Sequence, residues 1–322
     1  MRHSLVTLTL NPAIDISGAI EKLVPSHKLR CGNIKREPGG GGINVARVLQ
    51  RLGGTPLAVF PAGGATGAQL SRMLAAQAVN HVAIAVTAEV RENLVVQEKS
   101  GAQYRFVFPG PALTSPEIET CAKTALEAVA PSGWLVASGS LPPGAASDCY
   151  HVLAMQAAAL GVQLALDTSG EALRAGVGKG IALLKVNEDE LEELSGKSCS
   201  DEASCIAAAT ALLEKGPAMI AVTRGEKGAL LIGKDFAFKG VAPPIALAST
   251  VGAGDSFLAA LVWALSKNRP HPEALRQAIA AGCAALLATG TELAHAEAIS
   301  DLAPRVEIQA LVRPPAFHPP PV

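Results

Sequence analysis

The chain has 322 residues, 49% of them hydrophobic and 17% charged. That length suits one large α/β domain or two small ones, with enough apolar side chains for a sizeable core. A formal net charge of −1 removes any electrostatic case for nucleic acid or an anionic membrane surface, so any positive charge that matters is local.

The apolar run Leu5–Leu10 is too short and too strand-like for the core of a signal peptide, and no small-residue cleavage site follows it. No segment of about 18 apolar residues runs without polar interruption. The six cysteines form no Cys-x-x-Cys pair and the seven histidines no ligand-spaced cluster. Free thiols in a reducing compartment are therefore expected rather than disulfides or zinc. A cytoplasmic protein with no nucleic-acid or membrane partner is the expectation.

Leu5–Leu10 predicts a first strand ending at Asn11-Pro12-Ala13-Ile14-Asp15. Ligands of α/β sheets bind at strand C-terminal ends, so Asp15 either meets a ligand or is an ordinary turn aspartate after proline. Residues 16–36 read as short strands or loop, outside the main sheet, and suit a cover. Next comes Pro38-Gly39-Gly40-Gly41-Gly42-Ile43-Asn44, with a helix from about Ile43 that faces Val45, Val48, Leu49 and Leu52 inward. The glycines allow either close approach of backbone to a ligand or a flexible hinge. Asn44 offers both a donor and an acceptor to hydroxyls. No Lys-Ser or Lys-Thr follows, so this is not a phosphate loop of the Gly-x-x-x-x-Gly-Lys kind.

Leu57–Phe60 predicts a second strand, followed by a helix to about Ala78. Residues 94–98 and 103–108 flank Lys99-Ser100-Gly101-Ala102 as a hairpin with alternating faces. With residues 16–36 they could make a small second sheet, on which Arg91 and Arg105 are placed to meet an anion. From there strands and helices alternate. Helices are expected at 115–129, 146–159 and 201–215, and strands at 133–137, 162–166, 181–186 and 218–222. This rhythm argues a mostly parallel sheet with helices on both faces, its polar motifs gathered on one rim. Asn187 and Glu190 are three apart at a helix start. They either hold a hydrated Mg²⁺ or merely form an acidic first turn.

The stretch Ser249-Thr250-Val251-Gly252-Ala253-Gly254-Asp255-Ser256 precedes an apolar helix that starts near Gly254. The free amides of that first turn make an anion hole, and Gly252 and Gly254 leave it open to a ligand. Asp255 at its lip is placed to accept a proton from an attacking hydroxyl, as phosphoryl transfer requires. A helix over 271–288 follows. The tail from Arg313 is proline-rich, and residues 311–322 are expected to be disordered.

Two segments now carry a resemblance: Gly41-Gly42-Ile43-Asn44-Val45-Ala46 with Gly53 and Gly63, and Thr250 to Ser256, with Asn187-x-x-Glu190 between them. The chain resembles the ribokinase-like, or PfkB, carbohydrate kinases from about residue 5 to 295. Pro38–Arg47, Phe60–Gly67, Gln103–Val107, Ser138–Gly144 and Ser249–Ser256 look most like the bacterial PfkB-type 6-phosphofructokinase branch. The resemblance implies a three-layer αβα kinase domain over residues 1–310, with a mostly parallel central sheet and a small β-sheet lid from about 16–36 and 90–108. It implies that Asp255 is the base, with the amides of Gly252, Ala253 and Gly254 as the anion hole. Asp15, Gly40, Gly41 and Asn44 would hold sugar hydroxyls, and Lys28, Arg91, Arg105 and Ser140 a sugar phosphate. Lys185, Asn187, Thr223, Gly225, Gly228, Ala285 and Gly290 would serve the nucleotide, with Asn187 and Glu190 organising Mg²⁺–ATP. A monovalent cation and a homodimer paired through the lids belong to the same implication.

The expected reaction is ATP-dependent phosphorylation of fructose 6-phosphate at its C1 hydroxyl. The alternatives are the same chemistry on fructose 1-phosphate or tagatose 6-phosphate, and, more remotely, a non-catalytic sugar-phosphate sensor. A dehydrogenase is disfavoured, since no strand-linked Gly-x-Gly-x-x-Gly precedes an acidic residue at the required distance.

Overall fold

The computed structural model describes residues 2–245, 249, 251–288 and 291–311. Thr250, Gly290 and the tail from residue 312, all singled out above, lie outside the described residues.

A ten-stranded sheet runs through the molecule. From one edge its strands are Glu307–Ala310, Ala237–Val241, Ala229–Gly233, Met219–Thr223, Ile181–Asn187, Gln163–Asp167, Val129–Ser138, His3–Leu8, Leu57–Gly63 and Asn80–Glu89. Neighbours from Met219–Thr223 to Asn80–Glu89 are parallel; the strands beyond Met219–Thr223 add antiparallel. Strands covered on both faces read as unbroken apolar runs, because there is no wet side to alternate with. The pleat then sorts successive residues into two cores. Leu164 and Leu166 face one core while Ala165 faces the other; Ile220 and Val222 face the first and Ala221 the second. The first core lies under helices that include Ser115–Ala128, Cys149–Ala159 and Glu202–Leu213. The second lies under Gly41–Arg51, Ala253–Ser266 and His271–Leu287.

Ala253–Ser266 is apolar on nearly every side and packs against both Gly41–Arg51 and His271–Leu287. A helix hydrophobic all round is stable only when enclosed, so its position in the layer follows from its sequence.

The second sheet has four strands, ordered Gly32–Gly39, Ala13–Ile20, Arg91–Glu98, Gln103–Phe106. The hairpin falls where the sequence places it, with Leu94 opposite Phe106 and Gln97 opposite Gln103. This sheet begins at Ala13, earlier than the expected residue 16. Asp15 therefore sits inside a small-sheet strand, paired with Asn93, and not at the end of the first central strand. Residues 9–12 are the short link that carries the chain from one sheet to the other.

Leu261 is fully buried and Leu287 is 43% exposed, although both are helical leucines. Leu261→Ala should cost about 2–5 kcal/mol in denaturant unfolding. Leu287→Ala should change stability by no more than about 0.5 kcal/mol. Equal losses would show that the helix is not enclosed as described.

Candidate active site

One cleft opens between the two sheets, at the C-terminal rim of the central strands. Its wall includes Asp15, Gly40, Gly41, Asn44, Arg91 and Arg105, together with Ser140, Glu190, Gly252 and Asp255. Residues from the whole length of the chain thus converge, because successive parallel strands deliver their ends to one side.

Two of the helices that start at this cleft begin at glycine. Gly41–Arg51 follows Gly40, whose φ of 104° is a glycine conformation. A Cβ on Gly41 would lie 2.3 Å from Ser138 Oγ and 2.9 Å from Gly139 N; one on Gly42 would lie 2.5 Å from Thr9 Oγ1. The glycine run is therefore packed against the central strand ends, which answers the hinge reading with a steric reason. Ala253–Ser266 follows Gly252, which caps it with a φ of 75°. A Cβ on Gly254 would stand 3.2 Å from Lys185 Nζ. The amides of this turn and the Lys185 ammonium are thus close enough to serve one anion.

Asp255 lies in the first turn of that helix. Asn44 Nδ2 donates to its Oδ2 at 2.9 Å, joining the two helix starts. Burial pushes the Asp255 carboxyl up to about 6, with the charges of Asp167 and Asp15 adding to it and Asn44 and Lys185 opposing. Lys185 Nζ donates to Asp167 Oδ1 at 2.9 Å, and Ser138 Oγ donates to Asp167 Oδ2 at 3.2 Å. Burial works against the Lys185 ammonium, yet Asp167 at contact distance holds it above the usual lysine range.

The small sheet supplies the opposite wall. Arg91 Nη1 donates to Phe108 O at 2.6 Å and Nη2 to Asn11 O at 3.1 Å. Asn93 Nδ2 donates to Asp15 Oδ1 at 2.9 Å, and Asn93 Oδ1 accepts from Phe108 N at 3.3 Å. Burial raises the Asp15 carboxyl, against the pull of Asn93 and Arg91. Arg105 lies across from Val95 on the hairpin and is exposed at the cleft. Asn11 Nδ2 reaches Ser140 Oγ at 3.2 Å. Lys28 is exposed in the loop between the first two small-sheet strands and does not line the cleft.

Asn187 and Glu190 form a reciprocal cap. Asn187 Oδ1 accepts from Glu190 N at 2.8 Å, and Glu190 Oε2 accepts from Asn187 N at 2.8 Å. The ordinary helix-start reading is thus realised in full. Glu190 still lines the cleft, and one of its oxygens is outside the cap. Among the described residues no group of three or more His, Cys, Asp or Glu is arranged to hold a metal. The donor set fits a hydrated Mg²⁺ that takes most of its oxygens from water and phosphate. Thr223 ends the neighbouring strand in register with Asn187, and Gly225 and Gly228 turn with φ of 56° and 86°. Ala285 is fully buried in the second core and offers no surface to the cleft.

Ser138, Asp167 and Asn93 line the cleft without having been assigned a role from sequence. Ser138 and Asp167 each end a predicted strand, which is signal enough. Asn93 was findable from period-two alternation, since Arg91, Asn93 and Val95 share a face.

Gly41→Ala should lower stability by about 1–3 kcal/mol and weaken ligand binding, because Gly139 backbone cannot yield. Thermal unfolding and titration with a sugar phosphate check it. A variant as stable and as tight as wild type would show that the cleft floor is soft.

The pfkB family carbohydrate kinase model matches residues 5–298. The ATP-dependent 6-phosphofructokinase isozyme 2 of Mycobacterium tuberculosis is 41% identical over 289 residues, 89% of this chain and 85% of that one. A 1-phosphofructokinase of Xanthomonas campestris is 31% identical over 270 residues, 82% of this chain and 85% of that one. The crystal structure of phosphofructokinase-2 from Escherichia coli in complex with potassium superposes with a TM-score of 0.90, at 38% identity, covering 95% of this chain and 99% of that one. With its family model matched over most of its length, the chain belongs to the pfkB family of carbohydrate kinases.

Proposed function

We propose that this protein transfers the γ-phosphoryl group of ATP to the C1 hydroxyl of fructose 6-phosphate. The observation that carries the reading is Asp255 at the mouth of an amide cradle, with Arg91 and Arg105 on the opposite wall. The sugar lies between them, its hydroxyls against Asp15, Gly40, Gly41 and Asn44 and its phosphate against Arg91, Arg105 and Ser140. Asp255 takes the proton of the attacking hydroxyl. The amides of Gly252, Ala253 and Gly254, with Lys185, receive the charge that develops on the phosphoryl oxygens. Positioning supplies much of the rate, since both reactants are held across one narrow cleft.

Mg²⁺ bound with ATP neutralises phosphate charge when present; Glu190 and Asn187 are the residues that would hold its water shell. Thr223, Gly225 and Gly228 line the nucleotide's approach. A monovalent cation fits the same reading, since the similar Escherichia coli enzyme was crystallised with potassium. Residues 1–310 act as one kinase unit with the small sheet as its lid. Ile34, Leu94, Phe106, Val107 and Phe108 stay exposed on or just beyond that sheet. Covering them against a second copy, with Lys28 brought to the partner's cleft, makes a homodimer through the lids the assembly we favour. Among the described residues no helix is long and apolar enough to cross a membrane.

A coupled ATP-consumption assay should show preference for fructose 6-phosphate over fructose 1-phosphate, tagatose 6-phosphate and unphosphorylated sugars. Preference for a neutral sugar would overturn the assignment of Arg91 and Arg105. Asp255→Asn should lose about 10²–10⁴-fold in turnover while still binding both ligands. A non-catalytic sensor is excluded by wild-type turnover and favoured by its absence.

The base works only when ionised, so kcat/KM should rise with pH through about 6 and level off above it. The folded value lies above the ordinary 3.8, so the charged carboxylate costs stability as pH rises from there through about 6. Asp255→Asn should therefore be at least as stable as wild type at neutral pH, and a clear drop in melting temperature would count against this placement.

A further inference from the structure

Asn44 does not hold Asp255 unaided. Its Nδ2 donates to Asp255 Oδ2 at 2.9 Å, and its Oδ1 accepts from Arg47 Nη1 at 3.4 Å. The two residues are three apart on the helix Gly41–Arg51, so they share a face. A guanidinium donates and never accepts. It therefore tolerates only the oxygen end of the Asn44 amide, which leaves the NH₂ end for Asp255.

Arg47 is itself fixed from several sides. It is 2% exposed and does not line the cleft. Nη1 donates to Pro38 O at 2.8 Å, Nε to Gln77 Oε1 at 2.8 Å, and Nη2 to Glu37 Oε1 at 3.1 Å. The other oxygen of Glu37 accepts from Thr291 Oγ1. Thr291 lines the cleft, and the nearby Leu293 lies against Gly252: a Cβ on that glycine would fall 2.4 Å from Leu293 Cδ2. One carboxylate at the end of a small-sheet strand thus reaches both the base and the backing of the anion cradle.

We propose that Glu37 and Arg47 are positioning residues for the phosphoryl transfer. Arg47 sets the Asn44 amide so that it donates to Asp255, and Glu37 holds Arg47 and the Thr291–Leu293 segment together. This rests on the reading of Asp255 as the base. The charged groups facing Asp255 are Asp167 and Lys185 from the central strands and Asp15 from the small sheet. All three remain when Glu37 or Arg47 is changed, so a shift in Asp255 titration reports on the Asn44 amide and on the charge removed.

The test compares wild type, Glu37→Gln, Arg47→Lys and the double variant Glu37→Gln/Arg47→Met, in which no buried charge is left alone. Three quantities are measured: kcat with both KM values, the acidic limb of kcat/KM, and the ¹³C titration of the Asp255 carboxyl by NMR. The double variant should lose at least about tenfold in kcat, as a misplaced catalytic group does, with the KM for ATP nearly unchanged. Asn44 donation favours the ionised carboxylate, so its loss should move both the acidic limb and the ¹³C titration to higher pH. Arg47→Lys keeps a cationic donor and should recover most of the loss. Unchanged kcat and unchanged titration in the double variant would overturn the proposal. If the double variant does not fold, Glu37→Gln decides: loss of its negative charge alone would move both titrations to lower pH, so a move to higher pH reports the Asn44 amide, and the absence of that move overturns the proposal. Failure of wild type to phosphorylate any sugar would instead remove the assigned function, and the NMR titration would still decide the positioning claim.

Discussion

The hydrogen bond from Asn44 to Asp255 spans 211 residues of sequence and fixes where two helix starts meet. Each start is an electrostatic device: unpaired amides and a positive dipole end, with no Cβ in the way. Aimed at one cleft, they make a region where negative charge is tolerated without a large net positive charge on the protein. That is how a chain of net charge −1 can present a site suited to anions. The cleft also carries Asp15, Asp167, Glu190 and Asp255. Lys185, Arg91 and Arg105 offset them, and the amides do the rest.

The same arrangement explains why the Asp255 carboxyl is tuned as it is. Asp255 is withdrawn from water and faces two other carboxylates, which keeps its proton affinity high enough to matter near neutral pH. Lys185 and Asn44 stop it from becoming a permanent acid. The price is paid in stability, and the enclosed apolar helix behind it is what makes that tolerable.

Much of this was legible in the sequence because glycine and apolar periodicity report directly on backbone need. Gly252–Gly254 before an unbroken apolar run, and Gly39–Gly42 before Asn44, located both helix starts. The strand ends at Ser138, Asp167 and Asn187 fell where the alternation put them. Other features were hidden for physical reasons. Asn80–Glu89 is an edge strand, exposed on alternate residues, and lacks the apolar continuity of its buried neighbours. The antiparallel strands from Ala229 to Ala310 follow the parallel rhythm without announcing a change of direction. Alternation can put Asn93 on the face of Arg91 and Val95, but its partner Asp15 shows only in the fold. Arg47 carries no local signal of its fate, and its burial depends on Glu37, Gln77 and Pro38. Local pattern shows which groups need satisfying, but partners distant in sequence become visible only in the fold.

A crystal structure with MgADP, fructose 6-phosphate and a planar phosphoryl mimic such as aluminium fluoride would test the central claim most directly. The mimic should sit within hydrogen-bond reach of the Gly252, Ala253 and Gly254 amides, with the sugar C1 oxygen about 2.6–3.2 Å from an Asp255 oxygen. A mimic bound away from that helix start, or a C1 oxygen met by some other carboxylate, would contradict the account.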